Sequence, residues 1–126
     1  MSVHTVGNFK SFKANADLSA KQYYIVKLDT DGVGVVLGAA ASDFVLGTLE
    51  NKPTSGMTAS VNLRSSAGTH KVVLGGTVSA VGGKLVADSA GKAVVSTNAG
   101  DHMIGYAMQT GSAGDIIEYM PSADRV

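Results

Sequence analysis

"LVADSAGKAVVSTNAGDHMIGYAMQTGSAGDIIEYM", residues 85–120, decides the fold. Apolar runs of three to five residues alternate with turn residues, and a glycine falls at nearly every break. Short β-branched and aromatic runs separated by Gly, Asn, Asp and Ser are the pattern of strands joined by tight turns. The same rhythm extends upstream. "YYIVKL" (23–28), "VGVVLG" (33–38), "FVLGTL" (44–49) and "TASVNLRS" (58–65) read as strands, as does the start of "THKVVLGGTV" (69–78). "DTDG" (29–32) reads as a hairpin turn with Gly32 at a position of positive φ. No window of eleven residues carries a helical stripe; "GAAASDFVLG" (38–47) is the best candidate, and glycine brackets it at both ends. The expected fold is all-β: a compact β-sandwich or barrel of nine or ten short strands with little helix.

The stretch has a partner earlier in the chain. Asp29, Gly32, Val35 and Val36 fall on Asp88, Gly91, Val94 and Val95 at an offset of 59 (88 − 29). After a one-residue deletion, Asp43, Gly47 and Gly56 fall on Asp101, Gly105 and Gly114 at an offset of 58 (105 − 47). Two similar four-strand units, about 23–63 and 83–120, are expected, each covering the apolar face of the other. Residues 66–82 connect them and carry a strand of their own. What repeats is turn glycine, turn aspartate and core valine, so Gly32, Gly47, Gly56, Gly91, Gly105 and Gly114 are assigned structural turn roles.

Residues 1–20 differ. They are polar, with isolated apolar positions at Val3, Val6, Phe9 and Phe12. They read as an N-terminal arm ahead of a single β domain, 21–126, with Val6, Phe9 and Phe12 as apolar anchors for a partner.

The chain has 126 residues and no cysteine, which excludes disulfides, thiolate metal sites and cysteine nucleophiles. Ten basic residues balance ten acidic ones, so no long-range field favours nucleic acid or an anionic membrane. Charged residues make up 16% against about 25% in typical soluble domains. A weakly charged surface of small residues suits a protein partly covered by partners. The opening segment has no apolar run long enough for a signal peptide, and no stretch reaches the length of a membrane helix.

Reactive constellations are sparse. His70 and His102 lack a second histidine or a carboxylate at ligand spacing. "DTDG" lacks the third acidic position and the bidentate glutamate of a calcium loop. "LGGTVSAVGGK" (74–84) fails the spacing of phosphate-binding loops, and no Gly-x-Ser-x-Gly elbow occurs. Tyr23, Tyr24, Tyr106 and Tyr119 could stack bases, but no basic groove accompanies them. The expectation is a non-enzymatic protein with no cofactor and no metal.

"ADLSAKQYYIVKL" (16–28), "VLGTLENKP" (45–53), "HKVVLGGTVSAVGGKLVADSAGKAVV" (70–95) and "IGYAMQTGSAGDIIEYM" (104–120) together resemble the small capsid decoration, or cement, proteins of tailed bacteriophages. The order of the motifs along residues 15–120 carries the resemblance more than any one of them. It implies a structural virion protein, made in the host bacterial cytoplasm. Such a protein binds the outside of the expanded capsid, often as a homotrimer at three-fold or quasi-three-fold positions. It cements neighbouring major capsid subunits against internal DNA pressure, with no direct contact to nucleic acid or membrane. One departure from the family's pattern is Lys84, which stands in "GGKLVADSAG" where many members carry an acid. A different β-rich virion part, a tail or fibre-base module, or a host-surface glycan-binding module is the alternative. Binding at many lattice positions gains by avidity, so each contact can be modest.

Overall fold

The computed structural model describes residues 9–126; for Phe9 only the backbone is described. The described chain contains ten strands and no helix. They are β1 (Phe9–Ala14), β2 (Ile25–Leu28), β3 (Gly34–Leu37), β4 (Val45–Leu49), β5 (Thr58–Leu63), β6 (His70–Val73), β7 (Lys84–Ala87), β8 (Ala93–Val95), β9 (Gly105–Ala107) and β10 (Ile116–Pro121). The first five close into a barrel in the order β1-β3-β2-β4-β5. The last five form a sheet in the order β6-β10-β9-β7-β8, and a parallel bridge between Leu74 and Ala93 links its two edges. The same link in the first barrel is the parallel pairing of β1 with β3, Ala14 opposite Val35. Closure removes the free edges of the first unit; the second sheet, curled so that one bridge ties its edges, is the second barrel in this sense only.

The chain is thus a tandem of two five-strand units. The sequence leads one to expect four strands in each; the fifth strands are β1 and β6. Residues 9–14 of the expected arm are a barrel strand, antiparallel to β5 from Phe9↔Asn62 to Lys13↔Thr58. β6, expected as a connector, pairs with β10 and opens the second unit. Equivalent hydrogen bonds confirm the repeat. Leu18 N donates to Pro53 O and Val78 N to Gly111 O; Gly56 N donates to Ala14 O and Gly114 N to Leu74 O.

The register also moves the one-residue deletion. Val35 pairs with Leu28, and Ala93 pairs with Ala87. Val35 therefore corresponds to Ala93, not to Val94. The missing residue lies inside the first hairpin turn: Asp29 N reaches Gly34 O, but Asp88 N reaches Lys92 O, one residue sooner.

Each barrel fills with alternating side chains, as the period of two requires. Val26, Val35, Leu49, Ala59, Val61 and Leu18 form the core of the first. Val72, Leu74, Leu85, Ala93, Ile117 and Tyr119 belong to the core of the second, and Ile25 and Val45 of the first barrel join that cluster. Ile25 N also donates to Gly91 O, and Val73 N to Tyr23 O. The barrels therefore share a continuous apolar seam. Burying each such aliphatic side chain contributes about 1.5–3 kcal/mol.

The seam is not symmetric. Ile25 faces Thr48 across β2 and β4; the equivalent place in the second barrel holds Lys84, facing Tyr106. Ile25 is fully buried and Lys84 is exposed. Likewise Val73, opposite Ile116, is buried in the seam, whereas its counterpart Lys13, opposite Thr58, is exposed.

Two glycines mark the sharpest approach of strands. A Cβ on Gly47 would lie 1.8 Å from Asn62 O, and one on Gly105 would lie 2.0 Å from Met120 O. Only glycine lets the backbones meet there. Gly32, Gly56, Gly91 and Gly114 have φ between 71° and 90° and turn the chain between strands.

Candidate docking surface

No group of three or more His, Asp or Glu side chains among the described residues is placed to hold a metal ion. His70 and His102 lie apart. His70 Nε2 sits 2.6 Å from Ser66 Oγ, and burial holds its imidazole below the ordinary histidine value, with the Glu50 charge opposing in part. "DTDG" is a turn: the Asp31 carboxylate accepts from Val33 N and Gly34 N, which lowers its pKa, and Asn15 Nδ2 donates to Asp29 and Asp31. Asp43 ties residues 39–43 into a non-helical turn, and the rest of the best helical candidate of the sequence, 38–47, runs into β4. Its carboxylate accepts from Ala39 N and Ala40 N and pairs with Lys27 at 3.0 Å. Partial burial pushes Asp43 upward, but those bonds and the Lys27 charge outweigh it and hold the acid below the usual range.

Of the three expected anchors, Val6 lies outside the described residues, as does the Phe9 side chain. Phe12 projects from β1 and packs against the core of the first barrel. It therefore works as a barrel residue, and its remaining exposed edge lines a shallow groove with Val33 and Met57. Val33 and Met57 are 62% and 60% exposed. The ammonium of Lys10 lies 5.4 Å from the Phe12 ring. These residues make one small apolar patch with a basic rim at the β1 side of the first barrel, the kind of mixed surface that partners cover. Val33 and Met57 sit beside Gly32 and Gly56; the turn glycines were legible in the sequence, but exposure of their neighbours was not.

A second feature lies at the seam. Tyr23, expected within a strand, precedes β2 with φ of 69°, the one non-glycine residue in the left-handed region among those described. Its N–H donates to Leu49 O as that of Gly82 donates to Ala107 O, so Gly82 (φ 85°) is its counterpart in the second barrel. A side chain in that conformation costs about 1–2 kcal/mol. Tyr23, Lys71, Gln109 and Glu118 border an open groove of about 440 Å³.

No family profile matches the chain, and no curated protein does. Among solved structures, the chain is similar to the head fiber gp8.5 N base of bacteriophage phi29. The TM-score is 0.72 over 94% of this chain and 96% of that one, at 18% identity. At that identity the likeness shows a shared fold, extending over nearly the whole of both chains. The neighbour is a component of a phage head.

Proposed function

We propose that this protein is a non-enzymatic structural component of a tailed-phage virion, seated on the outer surface of the expanded capsid, where it cements neighbouring major capsid subunits. The observation that carries this reading is the near full-length likeness of the double barrel to a head-attached phage protein. The resemblance of residues 15–120 to capsid decoration proteins points the same way. The physical properties suit the role. Short turns and closed sheets make a stiff body, the balanced charge limits repulsion between copies crowded on a shell, and small patches such as Phe12–Val33–Met57 suffice when many contacts act together. Assembly as a homotrimer at three-fold or quasi-three-fold positions is part of the proposal.

A second reading has a specific observation behind it. The structural neighbour is the base of a head fibre, so this double barrel would equally serve as a fibre-base module on the head. The experiment is co-sedimentation of the purified protein with expanded phage heads that lack it, followed by heating. Saturable binding with heads made more heat-resistant supports cementing. Saturable binding with unchanged heat resistance supports the fibre base. Absence of binding to any expanded head overturns both.

A further inference from the structure

Phe44 immediately precedes β4 and is 61% exposed, on the rim of the seam. A guanidinium and an imidazole frame it. The Arg64 guanidinium carbon lies 5.0 Å from the Phe44 centroid, and the His102 ring meets it edge-on at 5.7 Å and 82°. His102 is the counterpart of Phe44 in the second barrel, so equivalent positions of the two repeats touch. The imidazole is fixed in one tautomer. Nδ1 lies 3.1 Å from Ser42 O, which can only accept, so Nδ1 carries the proton. Nε2 is left to accept from Arg125 Nη2, also at 3.1 Å. Arg125 is held there because its segment bridges to His102, with Met103 N donating to Asp124 O and Val126 N to Asp101 O.

The charge in this cluster is unbalanced. Arg64 is only 8% exposed, and its Nη1 donates to Met103 O at 2.9 Å. A guanidinium carries five N–H donors, and a largely buried charge is costly without a counter-ion; no buried side-chain nitrogen among the described residues lacks a partner, so the remaining Arg64 donors keep an opening to solvent. Yet the one ion pair among the described residues, Lys27–Asp43, involves neither arginine. Burial and the neighbouring Arg125 charge both press the Arg64 pKa downward, and no acid opposes them. Beside the guanidinium runs a groove of about 240 Å³ lined by Phe44, Leu46, Leu63 and Ala123. It is an apolar trough with a forked cation at its wall.

We propose that this trough seats an acidic segment of a protein partner, with an Asp or Glu carboxylate on the Arg64–Arg125 pair and an adjacent aliphatic side chain against Phe44, Leu46 and Leu63. The guanidinium fork matches a carboxylate in two parallel hydrogen bonds. The apolar lining excludes a purely electrostatic ligand, and a lone seat of this kind does not track a nucleic-acid backbone. This deepens the head-surface reading and, for the identity of the partner as a capsid subunit, rests on it. It supplies the second contact surface that a protein bridging two subunits requires, apart from the β1 patch.

Two measurements separate the site from the reading. The first is an amide chemical-shift titration of the whole protein with acetyl-Leu-Glu-amide and, in parallel, acetyl-Leu-Gln-amide. Shifts confined to residues around Phe44, Leu63, Arg64 and Ala123, given by the Glu peptide and lost with Gln, support the site. Absence of shifts, or equal shifts with both peptides, overturns it. The second is head binding by Phe44→Ser and Arg125→Glu, exposed positions whose variants are first checked for unchanged melting. Binding weakened about tenfold or more supports the proposal, and wild-type binding by both variants overturns it while leaving the head reading intact. If the unaltered protein fails to bind heads but the Glu peptide seats, the head reading falls and the acidic-segment site stands.

Discussion

The hydroxyls of Thr48 and Tyr119 lie 2.8 Å apart in the buried seam, one from each barrel. Both residues are fully buried. Burial drives the phenol far above its ordinary pKa, with the Thr48 bond opposing, so it stays protonated at any working pH. Tyr119→Phe leaves the Thr48 hydroxyl buried without a partner and is expected to cost about 1–2 kcal/mol. Thr48→Val in the same background removes the orphan and recovers part of that loss. Urea denaturation of the two single variants and the double variant reads the coupling; strictly additive losses would show that the pair does not join the barrels.

Gly47 and Gly105 should be the least replaceable of the repeated glycines. An alanine at either would bring its Cβ to within 1.8 or 2.0 Å of a partner-strand carbonyl oxygen, which must move away. The expected loss is about 3 kcal/mol, combining overpacking with strand strain. Gly56→Ala and Gly114→Ala meet open space and suffer only from positive φ, so about 1 kcal/mol is expected. Thermal melts of the four variants rank them, and equal losses would contradict the close-approach argument.

Acid should weaken the fold through His70. Its folded pKa is lowered by burial below the ordinary 6.5, with Glu50 opposing. The unfolded chain then takes up the proton first. Stability is fully present above about pH 6.5 and declines as pH falls through the folded value. His70→Gln should flatten that part of the profile. Melting temperatures at neutral pH and near pH 5 test it; an unchanged slope in the variant would assign the loss to other groups.

The all-β class, the strand number and the turn glycines were legible because tight turns impose glycine and short strands impose alternation. β1 was not. "FKSFKA" has no β-branched residue, sits near the start of the chain and reads as polar with two aromatics, while its partner β5 is distant in sequence. The shift of the repeat by one residue was hidden because Val94 and Val95 mimic Val35 and Val36, and only the pairing with β7 shows which valine faces which. The docking surfaces were less visible still. Phe44, Arg64, His102 and Arg125 are spread over 82 positions (125 − 44 + 1), and closure of the seam brings them together. The placement of β1 changes what a truncation does: removing residues 2–13 takes away most of a barrel strand, so circular dichroism should show lost β-structure, not merely weaker capsid binding. A fully folded truncation would return those residues to the role of a free arm.

The contact between the two barrels joins unlike faces, and a head-to-tail contact has no intrinsic end: each added unit would offer the next one the same free face. Ile25 and Val73 make the inner junction, and their counterparts Lys84 and Lys13 stand at the two outer faces. An ammonium group on each outer face is expected to stop the series at two, as charge on exposed strands does elsewhere. Lys13→Val with Lys84→Ile should therefore keep the fold and convert the protein into chains of growing mass in sedimentation, while unchanged mass would deny the lysines this part. The length of the series would then be set by the chain itself, and the protein could be made in excess without polymerising in solution.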